Sequence, residues 1–194
     1  MWVVIRLTLL LFLPIVLSAQ VDIFGHIGSM CHSEDEGCGS HRGTSYGGGA
    51  IVPFFGNWTV EGDFQTSYDP RNRGPDEFWR DRKTFYLANF LRRWGNARAY
   101  AFAGAGVGLQ DRETEWRHEV ADEDYELDPR TQPHWFKVRD GVFGGHDRYW
   151  EFIWFAPRGG FTVYPHKHVP VGLRFEVYIV RKNGGARVSV TYRL

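Results

Sequence analysis

Beyond its first nineteen residues the chain lacks any long apolar run, and it carries no net charge. Its 194 residues include 23 Lys and Arg and 23 Asp and Glu. No segment after the N-terminus approaches the roughly 18 uninterrupted apolar residues that a membrane-spanning helix needs. The even balance of charge gives no electrostatic argument for nucleic-acid binding. We therefore expect neither a bundle of membrane helices nor a nucleic-acid-binding protein.

Cysteine is scarce: Cys31 and Cys38 are the only two, and they enclose a short polar segment. In an exported protein, two cysteines this close most simply form a disulfide that closes a small loop. The alternative is a metal site, whose candidate ligands are Cys31, His32, Glu34, Asp35, Glu36, Cys38 and His41. Because an oxidising compartment competes for the thiols, we predict the disulfide, no metal and no cofactor.

Residues 1–19 have the features of a secretory signal peptide. Arg6 is the only charged residue, an apolar run follows from Leu7 to Leu17, and Ser18-Ala19 provides small residues before a cleavage point. The run is too short to span a membrane as a helix. We therefore predict a cleaved signal peptide over 1–19 and a mature chain of one domain over 20–194.

The last nine residues alternate strictly between apolar and polar side chains. The apolar set is Ala186, Val188, Val190, Tyr192 and Leu194, and the polar set is Arg187, Ser189, Thr191 and Arg193. A period of two predicts a strand with one apolar and one polar face. In an exported chain, this pattern favours a β-barrel whose outer surface meets lipid.

Seven earlier segments also have strand character: 21–28, 46–54, 58–68, 84–94, 97–109, a part of 149–164, and 169–181. Most are close to the roughly 9–11 residues that a tilted transmembrane strand needs. Long polar connections, 30–45, 69–83 and 110–148, follow the first, third and fifth strands, and the others are short. The stretch 111–128 has room for a helical turn, and Pro157 with Gly159-Gly160 predicts a bulge or kink in the sixth strand.

The two faces of the strands predict what lies outside and inside the barrel. Facing lipid we expect Val171, Leu173, Phe175, Val177, Ile179, Val188, Val190 and Tyr192. Facing the lumen we expect Glu61, Asp63, Arg174, Glu176, Arg187 and Arg193. Side chains just fill the interior of an eight-stranded barrel, and an isolated buried charge is costly. We therefore predict a carboxylate–guanidinium network that plugs the lumen, with a narrow ion path as the alternative.

Aromatic residues gather at the short turns: Phe54, Phe55 and Trp58 at the first, Trp94 at the second and Tyr164 at the third. Amphipathic rings favour the boundary between a bilayer and water. These five residues are therefore predicted to form an interfacial ring.

The order of these features resembles that of a known family. A signal peptide, Tyr-Gly-Gly-Gly at 46–49, Ala-Gly-Ala-Gly-Val-Gly at 103–108 and the hairpin 171–194 resemble the small eight-stranded outer-membrane β-barrels, the OmpA-type barrels of Gram-negative bacteria. The resemblance implies an all-β, antiparallel, up-and-down transmembrane barrel, inserted into the outer membrane by the barrel assembly machinery. Members of that family usually end in an aromatic residue, whereas this chain ends in Leu194, two positions after Tyr192.

The function expected from this reading is non-enzymatic. A monomeric outer-membrane barrel would have a structural or adhesive role, with 30–45, 69–83 and 110–148 available to an extracellular partner. One alternative is a secreted soluble barrel that binds a small hydrophobic ligand, which would reverse the facing of its strands. Another is a lipid-modifying enzyme that uses Ser189 and His26, expected to be inward-facing neighbours.

Overall fold

The computed structural model describes residues 20–31, 42–72, 78–119, 135–139, 142–166, 168–181 and 183–194. The predicted signal peptide and Cys38 lie outside these residues, so the cleavage and the disulfide stay predictions. Cys31 is buried at the end of the first strand. None of the described residues form a helix long and apolar enough to cross a membrane.

The regular structure in these ranges consists of strands. They are β1 (Asp22–Cys31), β2 (Arg42–Phe55), β3 (Trp58–Asn72), β4 (Phe78–Gly95), β5 (Ala99–Glu119), β6 (Trp135–Arg139), β7 (Val142–Val163), β8 (Val171–Val180) and β9 (Asn183–Arg193). Eight of them form a closed antiparallel ring, because β1 pairs with β9 and β5 pairs with β7. The short β6 lies outside the ring, against the end of β7. The predicted eight-stranded up-and-down barrel is confirmed.

Strand facing follows the alternation of the sequence. In β8 and β9, Leu173 is 42% exposed and Val190 55%, whereas Arg174 is 1% and Arg187 2% exposed. The structure places all eight residues expected to meet lipid on the outer surface. A soluble barrel with an apolar ligand inside would have the opposite facing, and this structure does not support it.

Strands β1 to β5 and β7 extend into the predicted long loops, so the predicted loop boundaries are wrong. β4 begins at Phe78, and β5 continues to Glu119, while β7 already begins at Val142. Parts of 30–45, 69–83 and 110–148 are therefore strand, and the predicted helical turn is replaced by strand over 111–119. The reason is cross-strand pairing of charges: Arg80 and Glu115, for example, are register partners whose side chains form an ion pair.

The interruption predicted in the sixth strand is a bulge displaced toward its N-terminal side. Gly106 of β5 pairs with Ala156 of β7, whereas Gly108 pairs with Ile153. Two residues of β7 therefore lie opposite the single residue between these glycines. Trp154 and Phe155 consequently both face outward, at 80% and 65% exposure. An extra residue in one strand is what lets two consecutive side chains share a face.

Most aromatic residues at the short turns lie on the outer surface. Phe54, Phe55 and Trp94 are exposed, and Trp58 stacks on Phe90 with ring centroids 4.6 Å apart. Tyr164 does not fit the prediction: it is 5% exposed, and its hydroxyl donates to Asp22 Oδ2 at 2.8 Å. Tyr164 continues the series of lumen-facing residues of β7. Its position near a turn therefore wrongly suggested a place in the interfacial ring.

A charge on the outer surface of β8 should interfere with assembly in the membrane. Val177 is 64% exposed and lies between apolar neighbours of the lipid-facing row. A lipid-facing arginine costs about 2–4 kcal/mol at the bilayer midplane and less toward the interfaces. We expect Val177→Arg to lower the heat-modifiable, folded fraction in membranes, whereas the control Val177→Leu should retain it. Equal folded yields for the two variants would mean that this face does not contact lipid.

Candidate functional site

Six charged side chains meet in the middle of the lumen, and we call them the ionic cluster: Glu61, Asp63, Arg158, Arg174, Glu176 and Arg187. Each of them is at most 5% exposed. Strands β3, β7, β8 and β9 supply them, each from the inward phase. Three carboxylates face three guanidinium groups, so the cluster is electrically balanced when all six are ionised.

The guanidinium groups bridge the carboxylates. Arg158 Nη1 lies 2.7 Å from Glu61 Oε1 and 3.0 Å from Asp63 Oδ2. Arg187 Nη1 lies 2.7 Å from Asp63 Oδ2, and its Nη2 lies 2.8 Å from Glu176 Oε1. Because each arginine has more than one acidic partner, removing one arginine leaves two or more buried carboxylates less compensated.

Arg174 joins the cluster to aromatic rings. Its Nη2 lies 2.7 Å from both Glu61 Oε2 and Glu176 Oε2. Its guanidinium carbon lies 3.9 Å from the centroid of Phe102 and 5.5 Å from that of Phe24. Cations are attracted to the faces of such rings. The two rings therefore favour a fixed position for this side chain.

Apolar side chains pack on both sides of the ionic cluster. On the side of the ionic cluster away from the short turns lie Met30, Phe85, Leu87, Ile153, Ala156, Tyr178 and Val180, all at most 4% exposed. Toward the short turns lie Leu91, Tyr100, Phe102 and Tyr164. The described lumen is thus filled by apolar side chains on both sides of the ionic cluster, with buried polar side chains such as Lys83 and Asn183, which share a hydrogen bond of 3.2 Å, next to the first group. Such an arrangement provides structure rather than a hydrated path for ions.

The structure brings together five of the six charged residues predicted for the lumen and separates the sixth. Arg193 lies at the short-turn end, where it donates to Asp22 Oδ1 at 3.0 Å and to the Ala97 carbonyl at 3.1 Å. Including Arg193 in the network was wrong, because the end of β9 lies nearer the short turns than the ionic cluster does. Arg158 was missed, since Pro157 and Gly159-Gly160 hid the phase of its strand.

The predicted serine–histidine pair is close but not arranged for catalysis. His26 and Ser189 are direct register partners of β1 and β9. The His26 Nε2 atom lies 3.2 Å from Asp63 Oδ1 and 3.0 Å from Arg187 Nη1. Within the described ranges Ser189 Oγ has no hydrogen-bond partner. A nucleophilic serine requires a base within hydrogen-bond reach, and this arrangement does not supply one.

A second group of charges lies on the outer surface beyond the apolar band, and we call it the charged ladder: Arg80, Arg82, Asp111, Glu113, Glu115, His146 and Arg148. It runs across β4, β5 and β7. Arg80 Nη1 lies 3.0 Å from Glu115 Oε2, Arg148 Nη2 lies 2.7 Å from Asp111 Oδ2, and Arg82 pairs with Glu113.

The charged ladder marks where the strands leave lipid. The nearest large, exposed residues on the outward side of these three strands are Tyr86, Leu109 and Trp150. Above them Glu113 contacts His146 at 3.0 Å, and this hydrogen bond, together with the charge of Arg82, lowers the pKa of the Glu113 carboxyl. Among the residues with described positions, no three His, Cys, Asp or Glu side chains are grouped closely enough to hold a metal ion.

A closed ring, an apolar outer band and a filled polar lumen define a small transmembrane β-barrel. Among solved structures, the chain is similar to the attachment invasion locus protein Ail of Yersinia pestis, in complex with the heparin analogue sucrose octasulfate. The TM-score is 0.52 at 11% identity, over 91% of this chain and 99% of that one.

The chain is also similar to Neisserial surface protein A, with a TM-score of 0.51 at 9% identity, over 90% of this chain and 96% of that one. Neither a protein-family model nor a curated protein sequence matches the chain. At these identities the likeness concerns the fold. The fold is that of the small eight-stranded outer-membrane barrels, as the sequence features predicted.

Proposed function

We propose that this chain is a non-enzymatic outer-membrane protein whose role is to present an extracellular contact surface. The observation that carries the proposal is the two-zone outer surface: an apolar band for lipid and, beyond it, strands β4, β5 and β7 bearing the charged ladder. These strands continue past the apolar band and carry exposed charges beyond the bilayer. The residues of 30–45, 69–83 and 110–148 are the proposed contact regions.

The filled lumen supports a surface role over a transport role. Paired charges between two apolar layers stabilise a closed barrel but offer no continuous row of hydrated groups. The engagement of His26 with Asp63 and Arg187, and not with Ser189 Oγ, likewise favours a non-enzymatic role. A monomer is favoured because the ring closes within one chain, and closure removes the unpaired strand edges through which sheets associate. Insertion by the barrel assembly machinery follows from the same proposal.

The composition of 110–148 indicates the kind of partner. This region contains eleven acidic and six basic residues. Ail was solved with a sulfated heparin analogue, but an excess of acid repels such polyanions. Complementary potentials favour association, so a partner with a basic surface fits this chain better than a sulfated polysaccharide.

Surface display of the chain in a non-adherent Gram-negative host tests the proposal. We expect heat-modifiable protein in the outer-membrane fraction and increased attachment of the cells to a basic surface such as immobilised polylysine or a basic matrix protein. A matched variant with 120–134 replaced by a neutral linker of equal length should remain heat-modifiable but lose most of the added attachment. Attachment no higher than that of cells without the protein would contradict the surface role, and recovery in the soluble fraction would contradict the location.

A further inference from the structure

The short-turn end of the barrel is strongly basic. Four arginines lie there, Arg92, Arg93, Arg98 and Arg193, against one described acidic side chain, Asp22. Asp22 is already engaged, since it accepts from Arg193 and from the Tyr164 hydroxyl. This excess of positive charge is not explained by the ionic cluster or by the charged ladder.

A polar pocket of about 260 Å³ opens among these residues. Its lining includes Gln20, Asn57, Arg93, Asn96, Tyr100 and Arg193. Two guanidinium groups and three amides among these residues offer many hydrogen-bond donors. The pocket contains no carboxylate, so its donor-rich lining suits an anion.

Tyr100 forms the inner wall of this pocket. The residue is 6% exposed, and its hydroxyl is buried without a hydrogen-bond partner among the described residues. A group closed to solvent does not meet a ligand in an open pocket, so an anion there is held by the guanidinium and amide groups.

Arg93 is the cation without an acidic partner in this pocket. Its guanidinium carbon lies 5.1 Å from the Tyr100 ring centroid, and within the described part of the chain no carboxylate lies within ion-pair distance of it. Arg193, by contrast, is held by Asp22 and the Ala97 carbonyl. One arginine is thus fixed by the protein, and the other can receive a ligand.

The backbone around Arg93 is built to hold the pocket open. Its N–H donates to the Asn57 carbonyl at 2.8 Å. Gly95 has a φ of +134°, and a Cβ there would lie 2.3 Å from the Ala99 carbonyl oxygen. Asn96 Oδ1 accepts from the N–H groups of Arg98 and Ala99 at 2.8 and 3.0 Å. These contacts fix the turn whose residues line the pocket.

We propose that this pocket binds a phosphate group, with Arg93 as its principal cation. Guanidinium groups bind phosphate through paired, charge-assisted hydrogen bonds. The phosphate belongs either to a phospholipid headgroup of the adjoining leaflet or to a small soluble molecule. The chemistry recognised by the pocket is the same for both sources.

Titration of the purified, detergent-solubilised chain with inorganic phosphate, followed by calorimetry or ³¹P NMR, tests the proposal. Arg93→Gln should weaken binding about ten- to a hundredfold, the effect of losing a hydrogen bond between charged groups. Tyr100→Phe should change affinity less than twofold and leave the barrel folded, because the hydroxyl is buried away from the pocket and has no partner to lose. The matched control is Arg98→Gln, which removes an exposed arginine of the same turn and should change affinity less than twofold.

A parallel titration with short-chain phosphatidylglycerol distinguishes the sources. Binding at least tenfold tighter than that of inorganic phosphate, and lost in Arg93→Gln, identifies a lipid headgroup. Equal affinities identify a soluble phosphate compound. No saturable binding of either probe, or equal affinity in wild type and Arg93→Gln, overturns the proposal. Heat-modifiability of every variant ensures that loss of binding is not loss of fold.

Discussion

Arg187→Leu is expected to destabilise the folded barrel by about 3–5 kcal/mol, the range for breaking a buried ion pair by removing one partner. Arg187 lies 2.7 Å from Asp63 and 2.8 Å from Glu176, and all three side chains are fully buried. Leucine leaves both carboxylates with weaker compensation in a site that excludes water. Urea unfolding of the chain in lipid or detergent, followed by tryptophan fluorescence, measures the change.

Arg181→Leu is the matched control for this prediction. Arg181 pairs with Glu151, but its side chain is 43% exposed. Exposed ion pairs contribute little to stability, so we expect a small change in the same titration. The double variant Glu176→Leu/Arg187→Leu should recover part of the loss, with a coupling of about 0.5–3 kcal/mol for residues in one network. If Arg187→Leu behaves like Arg181→Leu, the ionic cluster does not stabilise the fold through desolvated pairing.

Strict alternation allowed the strands at the end of the chain to be predicted with their facing. Every second residue from Val171 to Ile179 is apolar, and the intervening positions include Arg174 and Glu176. With a period of exactly two residues, one correct assignment fixes the side of every other side chain. The central charges of β8 and β9 could therefore be placed in the lumen from the sequence.

The long strands could not be delimited in the same way. Where β4, β5 and β7 leave the apolar band, their outward residues become charged, and the alternation that marks a half-buried strand disappears. Residues such as Arg82 and Glu113 then have the composition of a loop, although they are register partners in a sheet. Only pairing with a neighbouring strand distinguishes such a strand from a loop. A single segment of sequence does not encode that pairing.

Arg158 was hidden by local irregularity. The bulge at Trp154 and Phe155 shifts the phase of β7, so counting in twos from Tyr149 places later residues on the wrong side. Pro157 and Gly159-Gly160 then predict an interruption where the strand is continuous. The carboxylates that Arg158 contacts on β3 could be assigned to the lumen, but Arg158 itself could not.

The glycines at 47–49 have a role in the ionic cluster that can be tested at one position. Gly49 is the register partner of Phe24, whose ring lies beside both Arg174 and Arg187. A Cβ on Gly49 would lie 1.9 Å from the Gly62 carbonyl oxygen and 2.8 Å from Phe24 Cζ. Both contacts are too short to persist, so either the β2–β3 pairing or the ring must move.

Gly49→Ala should therefore destabilise the barrel by about 3 kcal/mol, at the upper end of the cost of adding a methyl group to a packed interior. Gly62→Ala, on the adjoining strand, is the matched control, because a Cβ there meets nothing within 4 Å. Its effect in the same urea titration should be small. Equal losses in the two variants would contradict the close approach of β2 to β3 and to the Phe24 ring. A selective loss in Gly49→Ala would show that a glycine is needed where β2 approaches both of them.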